Sequence, residues 1–154
     1  MQSKKAVSAV VGTVLIIMIT VAAVGVIWAA VIPMVRNSID KGSACFDAQS
    51  DVSLTTDQGY TCINSTTGKI NLQVKKGANT KVSLVGIQVL ISVNGSTSSE
   101  KITTGLPGNN EEKLLATTSN YLGAQKVSIA PIVTIGKTQE TCEVSSEIVL
   151  TPCT

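Results

Sequence analysis

The chain contains no histidine, and this absence removes several classes of function. A serine or cysteine nucleophile lacks its usual imidazole base, and a zinc site lacks its commonest nitrogen ligand. Neither G-x-x-x-x-G-K-[ST] nor G-x-G-x-x-G occurs, so no phosphate-binding loop is indicated. We therefore expect a protein that is not an enzyme and that holds no metal or cofactor.

Aromatic residues and charge are also scarce. Aromatic residues make up 3% of the chain, so any hydrophobic core must be built from Val, Ile and Leu. The formal charge is +2, which Lys4 and Lys5 supply entirely, and the remainder is neutral. Nucleic acid is not expected as a partner, because clustered Lys and Arg are absent. The only other basic pair, Lys75-Lys76, is interpreted as a turn beside Gly77.

The most informative segment is a run of thirty residues without a formal charge, Ala6 to Val35, which we call the apolar run. As a helix it would be about 45 Å long, and the hydrocarbon core of a bilayer needs only about 30 Å. The run is apolar on every face and therefore requires burial on every side, in lipid or in a bundle of identical helices. We predict one hydrophobic helix over residues 7–42.

Small residues within this helix favour close helix–helix packing. Gly25 and Ala29 form a small-x-x-x-small pair, with Ala22 one turn earlier, and Gly12 is a further small position. Pro33 removes a hydrogen bond to the Ala29 carbonyl and predicts a kink. The same features also fit an ordinary single-pass membrane anchor.

From residue 43 the pattern changes to a period of two, which predicts β-strands. Three segments alternate clearly: 70–74, 85–93 and 127–135, with Pro131 indicating an edge strand or a bulge. Shorter strands are predicted at 52–54, 60–63, 99–103, 113–116, 141–144 and 148–150, and a loop at 106–110. The predicted fold class is α+β: a long N-terminal hydrophobic α-helix followed by an all-β, immunoglobulin-like sandwich over residues 43–154.

Four cysteines follow the apolar run, and their even number predicts two disulfides in an oxidising compartment. Three connectivities are possible, and we predict the one that pairs cysteines nearest in sequence. The alternative is that the cysteines are buried free thiols. The predicted pairing joins Cys45 to Cys62 and Cys142 to Cys153. Two N-glycosylation sequons begin at Asn64 and Asn94, although Asn94-Gly95 is also a hairpin-turn dipeptide. Together these features predict a cytoplasmic N-terminus and an exported domain.

The start of the apolar run carries a resemblance to a known family. Lys5-Ala6-Val7-Ser8 places a charged residue, a small residue and then the apolar run after a short leader. This pattern resembles the class III signal peptide of archaeal type IV pilins and archaellins. Ala9 stands where the archaeal pattern has proline, and Val11 stands where bacterial pilins have glutamate.

The resemblance implies a function for the chain. A prepilin-type peptidase would cut between Ala6 and Val7 and remove the leader, residues 1–6. The helix would wait in the cell membrane, and an assembly ATPase and a membrane platform protein would then add the subunit to an extracellular filament of identical copies. Adhesion is the expected role. A permanently anchored surface domain and an archaellin-type motility subunit are the alternatives.

Overall fold

The computed structural model describes residues 3–56 and 59–153, and the side chains from residue 10 onward within that range. The chain divides into two compact units, Met1–Asp40 and Lys41–Thr154. One α-helix, α1 (Ser3–Asp51), contains 49 residues and contributes its last turns to the second unit, which we call the β unit. The predicted combination of a long apolar helix and a β domain is confirmed.

The predicted end of the helix at residue 42 is wrong, because α1 continues to Asp51. Gly42 and Ser43 resemble a helix end in the sequence, but the turns that follow bury Ala48 completely and partly bury Ala44 and Cys45. This tertiary packing compensates for weak local helix propensity. Pro33 lies inside α1, which continues past it.

Ten strands follow the helix in the described part of the chain. They are β1 (Val52–Leu54), β2 (Cys62–Ile63), β3 (Ile70–Lys76), β4 (Leu84–Val93), β5 (Ser96–Ile102), β6 (Glu111–Ala116), β7 (Ala124–Ile135), β8 (Thr138–Thr141), β9 (Ser146–Val149) and β10 (Thr151–Pro152). One five-stranded sheet has the order β1-β3-β2-β10, with β6 also paired to β3. The other has the order β5-β4-β7-β8, with β9 also paired to β7. Pairing between these strands is antiparallel except for β10 with β2.

The core between the two sheets is aliphatic, as the scarcity of aromatic residues predicts. Alternate residues of β3, β4 and β7 are fully buried and form one cluster: Ile70, Leu72, Val74, Ile87, Val89, Ile91, Val127 and Ile129. All three strongly alternating segments are therefore strands. The buried positions of β3 and of residues 87–91 in β4 have the predicted period of two, whereas β7 is buried without interruption from residue 127 to residue 133. The turn between β4 and β5 is Asn94-Gly95, with φ of 48° and 81°, as expected for a hairpin dipeptide.

Two local predictions are corrected by the sheet pairing. Lys75-Lys76 is not a turn, because β3 extends through Lys76 and pairs it with both Val52 and Glu111. Pro131 is not on an edge strand, because β7 pairs with β4 on one side and with β8 and β9 on the other.

The position of Pro131 within β7 explains how an interior strand accommodates proline. β9 pairs with β7 up to Ile129, and β8 pairs with it from Ile132 onward. Pro131 lies in the gap between them, where its missing N–H removes no bond from either ladder. Its carbonyl accepts a hydrogen bond from the Cys142 amide (2.9 Å). A register shift in the facing strand, between Leu84 and Gly86, is the irregularity closest to the predicted bulge.

Candidate functional site: the apolar helix and its attachment to the β unit

The apolar run forms a helix whose large side chains are exposed around its whole circumference. Trp28, for example, is 67% exposed, and the helix is long and apolar enough to cross a membrane. The exposed large apolar residues of this stretch are Val10, Val11, Val14, Leu15, Ile16, Ile17, Met18, Ile19, Val21, Val24, Val26, Ile27, Trp28, Val31, Met34 and Val35. So extensive an apolar surface marks a membrane or protein contact site.

Hydroxyl groups on this helix satisfy their hydrogen bonds within the helix itself. Thr13 Oγ1 donates to the Val10 carbonyl (2.9 Å) and Thr20 Oγ1 to the Ile17 carbonyl (2.8 Å). Ser38 Oγ donates to the Met34 carbonyl at 3.1 Å. A hydroxyl bonded in this way enters an apolar medium with its donor satisfied, which lowers the cost of leaving water.

The residues predicted to allow close helix packing lie on this accessible surface. Ala22, Gly25, Ala29 and Pro33 are exposed, and Gly12 is half-buried. Among the described residues beyond the adjoining turns of the helix, a Cβ atom placed at Gly12 or Gly25 would meet no atom within 4 Å, so no described packing contact requires either glycine. The helix-packing role assigned to these five residues stays a prediction.

Lys5, Ala6 and Val7 belong to α1, but their side chains lie outside the described part of the structure. The predicted cleavage between Ala6 and Val7 therefore stays a prediction. So does the predicted leader, of which Met1 and Gln2 also lie outside the described residues.

The last turns of α1 are attached to the β unit by packing and by a disulfide. Ala48 packs in a small cluster with Val82, Val133 and Cys142, to which Ala44, Cys45 and Ile135 are added at the periphery. Cys45 is bonded to Cys142 across 97 residues of sequence. Lys41 adds an ion pair with Glu140 at the surface. This attachment was not predicted from the sequence, although the spacing of Ala44, Cys45 and Ala48 fits one helix face.

The final residue of α1 is held by a buried ion pair, which no pattern in the sequence indicated. Asp51 Oδ2 lies 3.2 Å from Lys76 Nζ, without hydrogen-bond alignment, and the two side chains are only 8% and 3% exposed. Asp51 Oδ1 accepts a hydrogen bond from the Asn79 amide (3.1 Å), and Lys76 Nζ donates to the Asn79 carbonyl (3.1 Å) and to Asn109 Oδ1. A Cβ atom at Gly77 would overlap Asp51 Oδ1, so glycine is needed there.

The second disulfide joins Cys62 in β2 to Cys153, and the Cys153 amide donates to the Ile63 carbonyl (2.9 Å). The prediction that all four cysteines are paired is confirmed, but the pairing of nearest neighbours is wrong. Short loops favour local pairing by entropy only in an unfolded chain. In the fold, β10 runs parallel to β2 and the Cys142 segment contacts α1, so distant cysteines become neighbours.

The carboxylate of Glu100 links β5 by hydrogen bonds to the segment that follows β6. Glu100 in β5 accepts hydrogen bonds from the amides of Thr118 (2.6 Å) and Ser119 (3.2 Å) and from the Tyr121 hydroxyl (3.0 Å). Partial burial raises the pKa of Glu100, but these hydrogen bonds outweigh it, and the net pKa is below the ordinary value of 4.5. An inward-turned charge of this kind also discourages strand pairing at the β5 edge.

Both predicted glycosylation asparagines are exposed, in hairpin loops of the β unit. Asn64 Oδ1 accepts hydrogen bonds from the amides of Thr66 (3.0 Å) and Thr67 (2.9 Å), which forms an Asx-turn within the sequon. Asn94 lies in the β4–β5 turn. Glycosylation at either residue stays a prediction.

Among the side chains of residues 10–56 and 59–153, no group of three or more Cys, Asp or Glu is arranged to hold a metal ion. No protein-family model, no curated protein and no solved structure matches the chain. Function is therefore inferred from the exposed helix, its attachment to the β unit and the boundary at Lys5-Ala6-Val7.

Proposed function

We propose that this protein is the structural subunit of an extracellular type IV pilus-like filament and that it polymerises through α1. The observation that carries the proposal is the exposed, charge-free surface of the apolar run, which is long and apolar enough to cross a membrane. The helix is apolar on every face, so a bundle of identical helices suits it as well as lipid does.

The energetics of assembly favour close packing as the driving interaction. A helix that leaves lipid for a helix bundle exchanges one apolar environment for another, so the hydrophobic gain is small. Association must then come from van der Waals contact at small residues such as Gly25 and Ala29, repeated over many neighbours. Because the hydroxyls of Thr13 and Thr20 donate hydrogen bonds within the helix, both residues can lie in lipid or in a helix bundle.

The β unit supplies the outer surface of such a filament. Its two disulfides suit an oxidising exterior, and the Cys45–Cys142 bond ties it covalently to the helix that would carry the mechanical load. We propose adhesion as the role and no catalytic activity. By the resemblance at Lys5-Ala6-Val7, the partners are a prepilin-type peptidase, an assembly ATPase and a membrane platform protein.

A permanently anchored surface protein is the second candidate, because the apolar run of α1 is also long enough for a single membrane crossing. One experiment separates the two. Surface material is sheared from cells that produce the chain. It is then examined by negative-stain microscopy, intact-mass spectrometry and N-terminal sequencing. Filaments whose subunits begin at Val7 are expected. Recovery of Met1 on protein that stays in the membrane would favour the anchored form and reject the filament.

A matched pair of variants tests the cleavage site within that experiment. Ala6→Leu places a bulky residue directly before the proposed cut, and we expect uncut precursor and no filaments. Ala9→Leu makes the same change after the cut, and cleavage is expected to continue. If Ala6→Leu is cut as efficiently as the natural chain, the peptidase assignment is wrong.

A further inference from the structure

Lys76 lies on the core-facing side of β3. Buried residues alternate along this strand from Ile70 to Val74, and Lys76 continues the same register with a side chain that is only 3% exposed. Lysine is almost never buried without a partner, because its ammonium group loses its hydration. Oxygen atoms of the protein replace the lost water around Nζ, and they define the chemistry available there.

Three oxygen atoms surround the amine, and they belong to Asn109, Asn79 and Asp51. Lys76 Nζ donates hydrogen bonds to Asn109 Oδ1 (2.5 Å) and to the Asn79 carbonyl (3.1 Å). Asp51 Oδ2 lies 3.2 Å from Nζ and has no hydrogen-bond partner among the described residues. A buried acceptor without a partner is uncommon and requires an explanation. An amine, a side-chain amide and a carboxylate therefore meet in one buried site, and the carboxylate has an unused oxygen.

The loop that carries Asn109 is fixed against the end of β3. The Asn110 amide donates to the Gly77 carbonyl (2.9 Å), and Lys76 pairs with Glu111 at the start of β6. The carbonyl carbon Cγ of Asn109 lies one bond of about 1.2 Å from Oδ1, so it is at most about 3.7 Å from Nζ. A small rotation brings these two atoms within the roughly 3–3.5 Å at which a nucleophile attacks.

We propose that Lys76 and Asn109 become joined by an intramolecular amide bond and that Asp51 transfers the protons. Asp51 Oδ2 is within reach of a general base and takes a proton from Nζ. The free amine attacks Asn109 Cγ, the Nζ–Cγ bond forms and the Cγ–Nδ2 bond breaks. Protons from Nζ pass through Asp51 to the leaving nitrogen, which departs as ammonium. Charge is conserved, and the reaction requires no oxidant, reductant or other reactant.

The product satisfies the groups that the ion pair leaves unsatisfied. The N–H of the new amide donates to Asp51 Oδ2, and the charge of a buried lysine is removed. Asn109 is exposed, so the ammonium reaches solvent. The bond links β3 to the segment that leads into β6, and it resists reduction, unlike the two disulfides. This inference is independent of the proposed filament function.

Peptide mapping of the full chain, extracted from cells in detergent, tests the bond. Trypsin should release residues 76–81 and 102–113 as one branched species, lighter than the sum of the two peptides by the about 17 Da of ammonia. Neither segment contains a sequon, so glycosylation does not affect this mass. Digestion of the same sample without reduction should recover the Cys45–Cys142 link, which shows that the β unit was folded.

Substitutions assign the roles of the residues. Asn109→Ala should release the two peptides separately. Asp51→Asn keeps both reacting groups but removes the proton acceptor, so it should slow bond formation about a hundredfold, measured as the linked fraction at intervals after induction. Asn110→Gly is the matched control, because glycine suits the φ of 53° at this neighbouring position, and the link should form as in the natural chain.

Two results would overturn the proposal. One is separate peptides 76–81 and 102–113 from natural chain that carries the Cys45–Cys142 link. The other is a link from 76–81 to 42–69 with a loss of about 18 Da, which would mean that Lys76 condenses with Asp51 by loss of water. Neither result bears on whether the chain forms filaments.

Discussion

The carboxylate of Asp51, the last residue of α1, lies 3.2 Å from the ammonium group of Lys76, the last residue of β3. Both side chains are almost completely withdrawn from solvent. The pair fixes the helix end to the first sheet, while the Cys45–Cys142 bond fixes the same helix to the second. The end of α1 is thus secured from both sheets of the β unit.

Replacing Lys76 by methionine should lower the free energy of unfolding of the β unit by about 3 kcal/mol, because it leaves the Asp51 charge buried without its partner. Lys75→Met is the matched control, since Lys75 is the exposed neighbour in the same strand, and should change stability by less than about 0.5 kcal/mol. Urea unfolding of the oxidised fragment 41–154 measures both. The double variant Asp51→Asn, Lys76→Met should recover part of the loss. Equal effects at positions 75 and 76 would contradict a buried pair.

The oxidised fragment 41–154 should fold alone as a monomer dominated by β-structure, because its core lies between its own two sheets. Non-reducing peptide mapping should find Cys45 linked to Cys142 and Cys62 linked to Cys153. The pair of substitutions Cys45→Ala, Cys142→Ala should cost about 4 kcal/mol, since the bond closes a loop of nearly a hundred residues. A Cys45–Cys62 peptide, or a helix-dominated circular dichroism spectrum, would contradict the fold.

Glu100 should make part of the stability of the β unit dependent on pH. Its pKa is lower in the fold than in the unfolded chain, so its contribution is fully present above pH 4.5 and is lost as pH falls through the lower folded pKa. Glu100→Gln should therefore be less stable than the natural chain at pH 7, and the difference should shrink below pH 4.5. Glu143→Gln, at an exposed position between β8 and β9, is the control for the removal of one surface carboxylate. A Glu100→Gln deficit that persists undiminished at strongly acidic pH would refute the charge-dependent role.

Gly25→Leu should prevent filament formation while the cleaved subunit still accumulates in membranes. Beyond the adjoining turns of the helix, no described residue lies within 4 Å of a Cβ atom at Gly25, so leucine disturbs no described contact, and it makes the helix more apolar. Added bulk at a close helix–helix contact typically costs about 1–3 kcal/mol, and a filament repeats this cost in every subunit. Microscopy of sheared material, with immunoblots of the membrane fraction, gives the result. Normal filaments would mean that Gly25 does not face a close contact.

The apolar run and the β-strands could be predicted because each depends on a local period. Thirty uncharged residues specify a helix apolar on every face, and alternation in 70–74, 85–93 and 127–135 specifies strands. Burial on one side holds for β3 and for the middle of β4, whereas β7 is buried on both sides from residue 127 to residue 133. The expectations drawn from the absence of histidine and from the scarcity of aromatic residues likewise depend on composition alone. These properties of the chain were determined by the sequence itself.

Tertiary structure decided what depends on contacts between residues distant in sequence. The helix extends to Asp51 because Ala44, Cys45 and Ala48 meet Val82, Val133 and Cys142, none of which a local pattern identifies as a partner. Lys76 is interior because an aspartate 25 positions earlier in the chain faces it, although its sequence context resembles a turn. The disulfides join cysteines more than ninety residues apart because sheet topology, and not loop length, places them side by side.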